Sequence, residues 1–181
     1  MQEVIINKQA RLSEHFTLGE MCKTSAKTAD GRSAQGDALL AKNIPSHVHI
    51  ENLKRLCGWL EMLRSEWNRR YGEGDDPIII NSGYRSEAVN KAVGGAKGSN
   101  HLTGCAADIR VADIEQALRY AVILLDISDE MQRVGDGTSG MSREDFDELL
   151  LERSPRGTYW LHFAVRPSGN RRKVRLIQSL R

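Results

Sequence analysis

A chain of 181 residues supports one domain around a single core. With 40% hydrophobic and 28% charged residues it has the balance of an ordinary soluble domain, and a net charge of +2 excludes the basic field of a nucleic-acid binder. No apolar run approaches the ~18 residues of a membrane span, and the first residues lack a signal-peptide core, so no membrane insertion is expected.

Residues 1–48 are polar and irregular and are expected to form an arm that packs on a domain spanning 49–181. Within the arm, "HFTLGEMC" predicts a short docking turn, with Thr17 as N-cap and Glu20 as its capping-box partner. Ile50, Leu53, Leu56, Cys57, Leu60, Leu63 and Trp67 then recur at helical spacing and predict a long helix to about Arg70. After the turn cluster "GEGDDP", the β-branched "IIINS" predicts a short buried strand that ends at Gly83 and presents Tyr84 and Arg85 at its mouth. "SEAVNKAV" predicts a helix capped by Ser86 and closed at Gly94 and Gly95. The loop "GGAKGSNHLTG" leads into a strand over "CAADIRV".

"DIEQALRYAVILLDI" predicts an amphipathic helix, with Asp113 as N-cap and a stripe of Ile114, Leu118, Ala121, Val122 and Leu125. "VGDGTSGM" reads as a glycine-rich loop, and "SREDFDELLLER" as a third helix capped by Ser142. The final "TYWLHFAVRPSGNRRKVRLIQ" predicts two strands joined by a turn at "PSGN". Its basic end is read as a solvated edge strand whose charges discourage aggregation. Cys22, Cys57 and Cys105 are odd in number and widely spaced, so they are read as reduced, packed thiols.

His15, His47 and His49 lie in the polar first third and are read as exposed side chains. His101 and Asp108 are separated by a loop of small residues, short enough to bring both side chains to one point. A catalytic zinc takes three protein ligands and keeps a fourth position open. His162 is the candidate third ligand, because alternation through "YWLHFAVR" puts Trp160, His162 and Ala164 on one face and Tyr159, Leu161, Phe163 and Val165 on the other. On spacing alone, a hydrogen-bonded core histidine and a capping aspartate are the commoner reading of such residues.

"SGYRSEAVNKAVGG", "SNHLTGCAADI" and "YWLHFAV" together resemble the zinc D-alanyl-D-alanine carboxypeptidases, relatives of the Hedgehog signalling domain. The resemblance is strong over about 82–109 and looser over 143–177, and "LSEHFTLGEMCKT" with "HIENLKRLC" is similar to the bacterial and phage branch. It implies an α+β fold, with a small, mainly antiparallel sheet that carries a zinc site and is flanked by helices. It makes His101, Asp108 and His162 the Zn2+ ligands, Ser99 and Tyr84 substrate-binding residues, and Arg85 the cation facing the scissile carbonyl or its oxyanion. Gly104, Ala106 and Ala107 are expected to let the backbone approach the ion.

The implied activity is hydrolysis of peptidoglycan stem peptides or muropeptides by a monomer, most simply removal of the terminal D-alanine. A phage-type lysin that cuts the L-alanyl-D-glutamate bond, and a non-catalytic zinc-stabilised wall-binding module, are the alternatives. The expected location is cytoplasmic or phage-released, with action on the cell wall. One departure stands out: Tyr159 occupies the place, three residues before the last histidine, where many members carry an acid. A phenol with a pKa near 10 is a poor base at neutral pH. Among the acids of "SREDFDELLLER", most of them read as solvated, Glu152 is the candidate base because it follows the apolar "LLL" run, and Asp147 is the reserve.

Overall fold

The computed structural model describes residues 7–23, 43–134 and 145–178. In chain order the elements are α1 (Leu18–Met21), α2 (His47–Arg70), β1 (Ile80–Ser82), α3 (Glu87–Ala92), a 3-10 turn (Asn100–Thr103), β2 (Ala106–Arg110), α4 (Ile114–Val134), β3 (Glu148–Arg153), β4 (Tyr159–Ala164) and β5 (Lys173–Gln178). The strands form one sheet in the order β1-β2-β4-β3-β5, antiparallel except for the parallel β3–β5 pair. This is the expected α+β architecture. Among the described residues no helix is long and apolar enough to cross a membrane.

Helices α2 and α4 cover one sheet face. Leu53, Leu56, Cys57, Leu60, Leu63 and Trp67 of α2 are buried, as their spacing predicts, and Ser46 caps the helix by accepting from the His49 amide. They share a core with Ala107 and Ile109 of β2, Leu161 and Phe163 of β4, and Leu149 of β3. Each fully buried Leu or Phe contributes roughly 1.5–3 kcal/mol of apolar transfer, so this face fixes the register of the sheet. The other face, by alternation, is left for chemistry.

The arm contributes to the same core through Phe16, Leu18 and Met21. Thr17 and Glu20 form the predicted capping box. The Met21 carbonyl accepts from the Tyr84 amide at 2.7 Å, and a side chain on Gly83 would meet that carbonyl at 2.3 Å, so only glycine admits the approach. Asn43 donates to the Cys22 and Tyr84 carbonyls and accepts from the Ser86 amide. Arm and "SGYRS" segment are thereby locked together just where Arg85 leaves the sheet.

Three expectations are overturned. The segment read as a third helix is strand β3 over Glu148–Arg153, because Leu149 and Leu151 pair with Phe163 and Leu161 of β4 while the same strand also bonds β5. An apolar triplet satisfies a helical or a strand template alike, and long-range pairing decides. The proposed cap Ser142, with residues 135–141 of the loop "VGDGTSGM", lies outside the described residues.

The last two strands are not a hairpin. The turn forms, with the Arg166 amide donating to Asn170 Oδ1 at 2.8 Å, but β3 inserts between β4 and β5. β5 is an edge strand, as its charges suggested, and it exposes Val174 and Leu176.

Finally, α4 turns its other side inward. Asp113 does cap it, accepting from the Gln116 amide at 2.9 Å. Yet Ala117, Tyr120, Ile123 and Leu124 are buried, whereas Ile114, Leu118 and Val122 of the expected stripe are about half exposed. The helix is apolar on most of its circumference, and the edge-on contact of Tyr120 with Trp67, centroids 4.8 Å apart, selects the buried side.

Candidate metal centre

The chemistry-bearing face is organised by register. Asp108 on β2 pairs with His162 on β4, which pairs with Leu150 on β3, so these side chains share one row. One pleat away, Glu148 pairs with Ala164, and on the other side Glu152 pairs with Trp160. His101 arrives from the 3-10 turn, whose N-cap Ser99 accepts from the His101 amide. The turn ends at Gly104 with φ 72°, where a side chain would meet the His49 carbonyl of α2 at 2.7 Å. Gly104 therefore permits the turn and its contact with α2, a different reason from the expected approach to an ion. Ala107 likewise faces the core.

The ligand atoms of His101, Asp108 and His162 lie within 4.8 Å of one another. Asp108 Oδ1 is 3.2 Å from His101 Nε2 and 2.9 Å from His162 Nδ1. The remaining ring nitrogens are also engaged: His101 Nδ1 is 2.7 Å from the Gly83 carbonyl, and His162 Nε2 is 3.5 Å from Glu148 Oε2. Metal-binding histidines use the second nitrogen in this way, so the donor set fits a divalent ion. Burial disfavours the charged form of His101 and lowers its pKa, which keeps a lone pair available. Burial alone would raise the Asp108 pKa, but His101, His162 and Arg85 hold it well below the usual carboxylate range. Burial likewise opposes the charge on His162, and is outweighed by Asp108 and Glu148, which raise its pKa to about 9.

Arg85 is brought to the cluster. Its Nη2 donates to Asp108 Oδ2 at 2.5 Å and its Nε to Ser82 Oγ at 2.8 Å. Tyr84 is not: the next residue back in an extended segment points the other way, into the core, where its ring lies 4.9 Å from that of His49 and its hydroxyl donates to the Ile44 carbonyl. Ser99 is half-buried beside His101. Cys105 is a buried, packed thiol, and burial pushes its pKa up.

The acids separate by environment. Glu152 is on the site face; burial raises its pKa, and the nearby Asp108 carboxylate adds to the rise. Asp147, the reserve candidate, is fully buried and held by paired bonds from Arg171 and one from Asn100. That pairing makes it a fixed structural anion. Glu148, read from sequence as a solvated helix residue, instead bonds Lys173 and faces His162. The helix reading hid it. Alternation through "ELLLER", taken as a strand, places Glu148, Leu150 and Glu152 on one face.

Comparison with known proteins agrees with this geometry. The zinc D-Ala-D-Ala carboxypeptidase of Streptomyces albus G is 50% identical over 40 residues, which is 22% of this chain and 16% of that relative. The chain thus matches a small part of that protein's length. The family model described as Peptidase M15 matches residues 14–130, well over half of the chain and including His101 and Asp108, while His162 and Glu152 lie beyond the matched segment. With the motif resemblance, the extent of this match and a His-Asp-His set suited to zinc in hand, the chain belongs to the peptidase M15 family.

Proposed function

We propose that this protein is a zinc peptidase that hydrolyses peptidoglycan stem peptides, with release of the terminal D-alanine as its reaction. The observation that carries the reading is the convergence of His101, Asp108 and His162 with a part-buried carboxylate, Glu152, on one sheet face. Zinc bound there supplies a Lewis acid for the scissile carbonyl and acidifies water for attack. The stem peptide as substrate is supported by the motif resemblance and by the short match to the Streptomyces albus G carboxypeptidase.

In this reading His101 Nε2, one Asp108 oxygen and His162 Nδ1 hold the metal. Arg85 keeps Asp108 oriented through its Nη2 and sets a positive charge beside the carbonyl oxygen, where negative charge develops. Ser99 offers its hydroxyl to the substrate's terminal carboxylate. Tyr84 is left to packing.

Glu152 takes the proton from attacking water and passes it to the leaving amine. Its raised pKa suits a group that must both accept and return a proton near neutral pH. Glu148 does not suit that task, because His162 and then Lys173 bind its charged form and push its pKa down. Tyr159, three residues before His162, lies on the core side of β4 and is not needed for it.

The test is incubation of zinc-loaded protein with defined muropeptides, followed by mass analysis. Loss of one D-alanine, abolished by chelation and restored by zinc, is the expected result. Cleavage between L-alanine and D-glutamate would replace the carboxypeptidase reading with that of an endopeptidase. Binding without any cleavage would replace both with a wall-binding module.

A further inference from the structure

Glu148 takes no part in the proposed proton transfer, yet four side chains hold its carboxylate on the site face. Lys173 Nζ donates to its Oε1 at 2.9 Å, Arg171 Nη2 stands 2.9 Å from the same oxygen, and Asn100 Nδ2 donates to Oε2 at 3.1 Å. Its Oε2 also faces His162 Nε2 at 3.5 Å, and its side chain is only 14% exposed. Each tether comes from a different place. Asn100 directly precedes His101 in the 3-10 turn, Lys173 opens β5 in register with Glu148, and His162 lies on β4.

The neighbours explain how a long acid fits there. Glu148 pairs with Ala164, whose small side chain leaves room for the carboxylate to lean along β4 toward the imidazole two residues earlier. Two cations from the β5 side offset the cost of partial burial and restrict the carboxylate to one orientation.

We propose that Glu148 is a positioning residue for the metal centre: it accepts the Nε2–H of His162 and so fixes the tautomer and ring plane that direct Nδ1 to the metal. This rests on the reading of His162 as a ligand through Nδ1. Without an acceptor at Nε2, the imidazole is free to rotate or to present the other nitrogen, and the three-ligand geometry is lost part of the time. Through Asn100 the same carboxylate ties the turn carrying His101 to the strand carrying His162, so one side chain holds two ligands at their spacing.

The test is zinc affinity by chelator competition for the full chain and for Glu148→Ala and Glu148→Gln, together with the visible spectrum of each cobalt-substituted protein. Loss of an outer partner of this kind costs ~10–100-fold in metal affinity. Glu148→Ala is expected to show that loss with a shifted cobalt spectrum. Glu148→Gln keeps an acceptor oxygen and the shape, and is expected to recover most of the affinity and the native spectrum, a rescue that a general packing defect would not give. Zinc affinities of both variants within about twofold of the parent, with unchanged cobalt spectra, would overturn the proposal alone. Failure of the parent chain to take up zinc would overturn the metal reading and this proposal with it. Should Glu148→Ala fail to fold, Glu148→Met, which keeps the length but offers no acceptor oxygen, takes its place: a ~10–100-fold loss of zinc affinity is expected, and an affinity within about twofold of the parent overturns the proposal.

Discussion

Gly104→Ala tests how the fold builds the metal loop. The 3-10 turn bearing His101 ends at Gly104 in a left-handed conformation, φ 72°, and a methyl group there would approach the His49 carbonyl to 2.7 Å. The conformation costs an L-residue roughly 1–2 kcal/mol. The contact is with backbone of α2, which cannot rotate away, and overpacking of that kind adds about 1–3 kcal/mol. The expected destabilisation is therefore roughly 2–5 kcal/mol, a fall in Tm of about 4–20 °C for a chain of this size.

Two other glycines calibrate the two contributions. Gly94 has φ 70° but open space around the added carbon, so Gly94→Ala is expected to lose only the conformational part, roughly 1–2 kcal/mol. Gly98 has neither restriction, and Gly98→Ala is expected to be neutral or to stabilise by about 0.4–1 kcal/mol through the unfolded chain. Urea unfolding of all three variants in chelator keeps metal binding out of the comparison. If Gly104→Ala lost no more than Gly94→Ala, the close packing of the turn on α2 would be refuted.

Two more predictions follow from the geometry. Leu124→Ala on the buried side of α4 is expected to cost about 2–5 kcal/mol, against less than ~0.5 kcal/mol for Leu118→Ala on the exposed side; equal losses in chemical denaturation would contradict the facing assigned to this helix. Glu152→Gln is expected to lower kcat by roughly 10²–10⁴-fold with zinc content unchanged. Since the base acts in its ionised form and burial raises its pKa, kcat/KM of the parent should fall as pH drops through a value above the ordinary glutamate range. A Glu152→Gln enzyme within tenfold of the parent would remove Glu152 from the mechanism.

Much of the site was legible because its pieces are local. The "SNHLTGCAAD" run sets His101 and Asp108 through a turn and the strand that follows it, and alternation in "YWLHFAVR" correctly separates His162 from Leu161 and Phe163. Capping residues Thr17, Ser86 and Asp113 could be read for the same reason: each acts on an amide three residues away. What could not be read depends on distant partners. Leu149, Leu150 and Leu151 suit a helix as well as a strand, and only pairing with β4 and β5 decides between them. That misreading also concealed Glu148, whose character comes from Lys173, Arg171 and His162. On α4 the apolar residues nearly encircle the helix, so the face that meets Trp67 is a property of the assembled core.

Zinc stoichiometry of the purified chain tests the central claim most directly. Metal analysis after mild purification is expected to find about one zinc per chain, falling to a small fraction in His101→Ala and His162→Ala, while Tyr84→Phe retains the full complement. Fewer than ~0.2 zinc per parent chain, or equal zinc in the histidine variants, would contradict a three-ligand site at His101, Asp108 and His162.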